Sequence, residues 1–192
     1  MRICFASHNQ NKVAELSRLL GDKYALLGLD DLGITEDIPE TGSTLEENAR
    51  IKAKYVVERH NLACFADDTG LEVAALDGRP GVFSARYAGE PSDSARNIEK
   101  LLEELAGREN RQARFRTVIA LILDGQEHYF TGIVEGEITR EVIGERGFGY
   151  DPIFIPKGFN RTFAEMTMEE KNSISHRGRA VRKLIDFLAN KL

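Results

Sequence analysis

Cys64-Phe65-Ala66-Asp67-Asp68-Thr69-Gly70-Leu71-Glu72-Val73 is the stretch on which the fold turns. The apolar run at 64–66 reads as the end of one buried strand, and residues 71–75 as the start of another. Two adjacent carboxylates at such a junction repel each other and lose hydration, so something must offset the cost. A divalent cation held by oxygen ligands is the usual compensation, with Thr69 and Gly70 turning the chain beside it. The competing reading is an exposed turn in which Asp and Gly do conformational work alone.

Outward from this point, strands and helices interleave. Residues 2–7 read as a strand. A helix is expected from 11 to 20, with Val13, Leu16, Leu19 and Leu20 on one face and Gly21 as its stop. Thr44-Leu45-Glu46-Glu47 has the T-x-x-E spacing of a capping box and opens a helix to about residue 60, with Leu45, Ala49, Ala53 and Val56 as its apolar stripe. Past the Asp pair comes a turn at 77–81, then a helix over 92–105 burying Ile98, Leu101, Leu102 and Leu105. Residues 114–123 and 127–138 read as two long strands joined at Asp124-Gly125, a strong hairpin signal. A short strand at 153–155 and a final helix over 175–190 complete the chain. This order predicts an α/β protein with a mixed sheet.

The chain has 192 residues, 42% of them hydrophobic, enough for one substantial domain or two small lobes around a shared sheet. A net charge of −5 argues against a nucleic-acid polymer as partner, because such binding needs a broad basic face. It leaves room for a small polyanion held by a few Lys and Arg residues and a metal. No run reaches the roughly 20 apolar residues of a membrane span, and Met1-Arg2-Ile3-Cys4-Phe5-Ala6 is too quickly polar for a signal peptide. Cys4 and Cys64 stand alone in strand-like runs, as reduced buried thiols do. A cytoplasmic protein is expected.

Five polar constellations carry the chemistry. Ser7-His8-Asn9-Gln10-Asn11-Lys12 lies at a strand-to-helix turn, where backbone N–H groups and the positive helix end meet an anion. Taken alone, this loop reads better as an ordinary helix cap with a solvated Lys. Glu40 precedes the Thr44 helix and offers a second acid beside Asp68 for a cation. Asn48 and Lys52 share one face of that helix, while Glu47 is explained by capping. Gly147-Phe148-Gly149-Tyr150-Asp151 sets an aromatic ring in an open backbone suited to a stacked heterocycle. Lys171 with Ser175-His176-Arg177 places donors at the start of the last helix, aimed outward, where Arg offers a planar fork. Ser84 or Arg86 can reach a phosphate or brace the site.

Taken in order, these segments closely resemble the inosine triphosphate pyrophosphatase family, which acts on non-standard purine nucleoside triphosphates. The matching stretches are residues 7–12 with Glu15, 40–52, 66–73, 80–87, 148–151 and 171–177. The resemblance implies an elongated, two-lobed fold around a long mixed sheet, with flanking helices and a central cleft, formed by one domain over residues 1–192 and usually paired as a homodimer. It implies a Mg²⁺-dependent hydrolase turning ITP, dITP or XTP into the monophosphate and pyrophosphate. Its phosphate-contacting motif falls on Ser7, Asn9 and Lys12 within the 7–12 loop. Its metal ligands fall on Glu40 and Asp68, and its general base also on Asp68. Its substrate contacts fall on Thr69, Phe148, Gly149, Tyr150, Asp151, Lys171, His176 and Arg177. Many relatives carry Ser at the position of Thr69; the hydroxyl is retained.

On that resemblance, water activated by Asp68 attacks the α-phosphorus, and Lys12 with Lys52 stabilises the leaving pyrophosphate. Phe148 stacks on the base, while His176 and Arg177 face a 6-keto oxygen. Two alternatives stay open: a nucleotide sensor without catalysis, and a related pyrophosphatase acting on pyrimidine or methylated nucleotides. An aspartyl-phosphate phosphatase is disfavoured, because Asp67-Asp68-Thr69 lacks the D-x-D-x-[TV] spacing. No G-x-G-x-x-G, HExxH or G-x-S-x-G motif is present.

Overall fold

The computed structural model describes residues 2–191, without the side chains of Glu15, Leu19 and Asp22. The expectations for Glu15 and Leu19 therefore lie outside the described residues. The elements run β1 (Arg2–Phe5), α1 (Gln10–Leu20), β2 (Ala25–Leu27), α2 (Leu45–His60), β3 (Cys64–Val73), β4 (Pro80–Gly81), α3 (Ser94–Glu104), β5 (Gln112–Leu123), β6 (Gln126–Ile138), β7 (Phe154–Pro156), α4 (Met168–Ile174) and α5 (His176–Ala189). One sheet has the order β2-β1-β3-β5-β6-β7, with β4 added beside β3. β1 is parallel to both β2 and β3, while β4 and β7 pair antiparallel with β3 and β6, so the sheet is mixed as expected.

Caps follow the local sequence. Asn9 caps α1, its Oδ1 accepting from the N–H of Asn11 and Lys12, and Gly21 ends the helix. Thr44 accepts from Glu47 N at the start of α2. The return half of that capping box is displaced by one residue: the Glu47 carboxylate takes the N–H and hydroxyl of Ser43. Asp124 and Gly125, at φ 51° and 74°, form the left-handed pair that closes the β5–β6 hairpin. The short helix α4 and the three-residue β2 were not expected from sequence. α4 nonetheless carries a complete capping box, Thr167 with Glu170.

The Asp pair is where expectation and structure part. Cys64–Val73 is one unbroken ten-residue strand, not two strands flanking a turn. Gly70 serves close approach rather than turning, because a Cβ there would lie 2.7 Å from the carbonyl oxygen of Gly81 on β4. Alternation along the strand then separates the two acids. Phe65 packs in a core with Leu16 of α1 and Val181 and Leu184 of α5. Cys64 and Ala66 pack in a second core with Ala53 and Val56 of α2. Asp67 shares the parity of Phe65, and Asp68 that of Ala66.

Two compact units divide the chain. The first holds the residues up to Asp68, Thr117–Gly132 and those from Arg177 onward, with the two cores just named. The second holds Thr69–Arg116 and Ile133–His176 around a core that includes Leu71, Leu101, Phe115, Ile153, Phe154 and Phe163. No helix among the described residues is long and apolar enough to cross a membrane.

Candidate functional site

In the first unit, Asp67 and Asp68 are 1% and 7% exposed, and each has its own partners. Asp67 accepts from Lys12 Nζ on Oδ1 and from Arg177 Nε on Oδ2, both at 3.0 Å. Asp68 accepts from Asn48 Nδ2 at 3.2 Å, and Lys52 Nζ lies 3.9 Å from its Oδ1. The repulsion that seemed to need a cation is thus relieved on the Asp67 side by two built-in cations.

Burial pushes against the Asp67 charge, but Lys12, Arg177 and Lys52 overcome it and hold this carboxyl well below the ordinary range. Asp68 shifts the other way. Burial raises it, Lys52 opposes, and the nearby Glu40 carboxylate raises it again, leaving a net upward shift. Lys12 is lowered by burial and by the charges of Lys52 and Arg177, against the pull of Asp67. Lys52 is raised, because Asp68, Glu40 and Asp67 outweigh its burial.

Helix α2 supplies the Asp68 side. Asn48 and Lys52, four residues apart, both reach that carboxylate, and Lys52 Nζ also donates to Glu40 at 2.5 Å. Asn48 is oriented in turn by accepting Gly42 N–H at 2.8 Å. A Cβ on Gly42 would lie 2.8 Å from Asn48 Oδ1, so the chain before α2 requires glycine. Around the first loop, Ser7 Oγ accepts from Asn9 N, and the His8 ring nitrogens sit 3.1 Å from Glu36 O and 3.3 Å from Asp30 Oδ1. Asn9 Oδ1 is engaged in the helix cap, while Gln10 and Asn11 are exposed on the first turn.

The second unit holds the aromatic group. Asp151 is 3% exposed, and its Oδ2 accepts both Phe148 N–H at 2.9 Å and Lys171 Nζ at 2.8 Å. The same ammonium sits 4.5 Å from the Phe148 ring centroid. Gly147 has φ +76°, and a Cβ there would lie 2.1 Å from Asp151 Oδ2. Gly149 and Thr69 are half-buried, and Tyr150 is buried with its hydroxyl donating to Ser84 O. Ser84 braces rather than presents: its Oγ donates to Gly81 O and accepts Leu71 N–H.

The outward presentation expected of His176 and Arg177 is corrected. His176 is 3% exposed and stacks on Phe115 at 4.5 Å, and Arg177 is 1% exposed. The first two side chains of α5 are thus buried and not presented to solvent. The sequence marked Asp67 only as half of the acid pair, with no role or partner of its own, and did not show the pairing of Asp151 with Lys171. The partners of Asp67 are 55 and 110 residues away, beyond any local spacing rule.

Among the described residues no group of three or more His, Cys, Asp and Glu side chains gathers as a metal cage. Glu40 and Asp68, both beside Lys52, supply two hard oxygen donors. Mg²⁺ is held in just that way, through one or two carboxylates completed by substrate phosphates and water. The donor set therefore fits Mg²⁺ and not a site built wholly from protein.

The model of the Ham1 family matches residues 3–187. A dITP/XTP pyrophosphatase of Christiangramia forsetii is 56% identical over 98% of this chain and 100% of the relative. Another, of Flavobacterium psychrophilum, is 53% identical over 99% of this chain and 100% of its own length. The solved structure of the Staphylococcus aureus Ham1 protein superposes with a TM-score of 0.92 at 42% identity, each chain covered in full.

Proposed function

Because the chain belongs to the Ham1 family, we propose that it hydrolyses dITP and XTP, and ITP by the same base chemistry, to the monophosphate and pyrophosphate. Asp68 is the observation that carries this reading. It is a buried carboxylate shifted towards neutrality by burial and Glu40, oriented by Asn48, with the Lys52 ammonium beside it. A carboxyl with a raised pKa is the better proton acceptor near neutral pH.

Asp68 takes the proton of the water that attacks the α-phosphorus, in line with the departing pyrophosphate. Lys12 and Lys52 carry the charge that grows on that leaving group. Mg²⁺ on Glu40 and Asp68, when bound, supplies Lewis-acid neutralisation of phosphate charge. Phe148, with Lys171 over its ring, is the platform for the purine. Gly149 and Thr69, both half-buried, complete the nucleoside contacts. Donors aimed at a 6-keto oxygen would be left unpaired by adenine, and such loss is worth a factor of about 10⁴ in specificity.

The test is incubation of the purified protein with Mg²⁺ and, separately, dITP, XTP, ITP, GTP, ATP and TTP, with products separated by chromatography. Monophosphate and pyrophosphate from the first three, with ATP spared, is the expected result. Diphosphate and phosphate would place the attack at the γ-phosphorus and overturn the mechanism. Binding of ITP without turnover of any nucleotide would point to a sensor. Asp68→Asn is expected to lower kcat by about 10²–10⁴-fold with an unchanged melting temperature; a wild-type rate would remove Asp68 from the mechanism.

A further inference from the structure

Asp67 stands outside every candidate role so far, yet it is among the most buried acids of the first unit, at 1% exposure. It bridges Lys12 and Arg177 with one carboxylate oxygen each, both at 3.0 Å. A buried ion group is weak grounds for stability, since apolar residues of similar volume often serve as well or better. Neutralising Arg177 would, moreover, require only one contact. The second contact therefore asks for its own explanation.

Lys12 supplies it. Its side chain is 16% exposed, against 1% for both Asp67 and Arg177, so Lys12 is the member of the group with some access to solvent. A lysine ammonium is a point charge on a flexible stem, with about 2 kcal/mol of rotamer entropy to lose when it is fixed. It has three donors, and the bond to Asp67 uses one of them. A fixed anion beneath it removes the ordering cost in advance of substrate, which is how preorganised electrostatics works. Arg177, on α5, anchors Asp67 from the other side, so the carboxylate itself cannot swing.

We propose that Asp67 is a positioning residue for the reaction: it holds the Lys12 ammonium where that charge serves the triphosphate chain. The proposal rests on the functional reading above. It gives the two neighbouring aspartates separate duties, Asp67 acting through Lys12 and Asp68 on the reacting water.

A double-mutant cycle of Asp67→Asn and Lys12→Met tests it, with kcat for dITP, inhibition by inorganic tripolyphosphate and melting temperature measured for all four proteins. Asp67→Asn is expected to weaken tripolyphosphate inhibition and lower kcat by about 10–10³-fold. The double variant should be no slower than Lys12→Met alone, because both changes remove one ammonium from one place. Losses in kcat that multiply, or unchanged tripolyphosphate inhibition in a folded Asp67→Asn protein, would overturn the proposal. Should Asp67→Asn not fold, the wild-type protein labelled with ¹⁵N-lysine decides. A rigid, hydrogen-bonded Lys12 ammonium, assigned by its loss in Lys12→Met, is expected, and a freely rotating one overturns the idea. Absence of turnover by the wild type on every triphosphate would defeat the functional reading and this role with it. Wild-type turnover with multiplying losses would defeat the Asp67 role alone.

Discussion

Asp67 in the first unit and Asp151 in the second are both buried acids at the centre of a polar group, but they are built differently. Asp67 joins two cations brought from positions 55 and 110 residues away, using both of its oxygens. Asp151 gathers a backbone N–H three residues back and an ammonium twenty residues on, both at one oxygen. The first fixes charges; the second fixes a loop and one charge together. A group made of distant cations depends on the whole unit being folded, whereas a group made around a turn depends on that turn.

That contrast predicts unequal costs of truncation. Breaking a buried ion pair costs about 3–5 kcal/mol. Asp67→Ala, which removes the acid shared by two cations, should reach or pass the top of that range. Asp151→Ala removes the acid from a single ammonium and a turn N–H, and should fall nearer the bottom. Urea unfolding of both variants measures the order, and a reversed order would break the comparison.

The next largest effect is on acid stability. The Asp67 carboxyl is held below its ordinary value in the folded protein. Its contribution is therefore complete above the unfolded pKa of about 3.9 and drains away as pH falls below it towards the folded value. Asp68 has the opposite sign. Its folded pKa is raised, so protonation on acidification relieves an unfavourable charge. Urea midpoints taken from pH 6 downwards should fall less steeply in Asp67→Asn than in the wild type. Parallel curves would mean that the Asp67 pairings add nothing to acid sensitivity.

Smallest is Ser84→Ala, which leaves the N–H of Leu71 without its side-chain acceptor. A stranded buried donor costs about 1–3 kcal/mol. The loss should appear in stability, with tripolyphosphate inhibition unchanged, because Ser84 braces the second unit and touches none of the ammonium groups of the first. A change in that inhibition would show that the two units do not divide the work as described.

Local rules made most of the fold legible. Thr44 with Glu47, Asp124-Gly125 and the apolar stripe of α2 each depend on neighbours within four residues. Asn48 and Lys52 were readable as one face, and that face reaches Asp68. Glu40, Asp68 and Lys52 were all named from sequence, and the structure brings them together. The continuity of β3 was not legible, because an acidic pair beside Thr and Gly has the composition of a turn. Only partners from α1, α2 and α5 make that pair tolerable inside a strand. The inward aim of His176 and Arg177 was hidden for a similar reason: a helix start exposes its first turn only when nothing is packed over it.

Strand β3 has one further consequence, for how this gene can change length. Its acids differ in surroundings solely because one residue of pleat separates them. Deleting or inserting a single codon between residues 64 and 67 would slide the strand by one pleat and exchange the two environments, with composition nearly untouched. The exposed Asp124-Gly125 corner carries no such parity. Length variation within lineages carrying this sequence should therefore collect at corners of that kind and stop abruptly at the edge of β3.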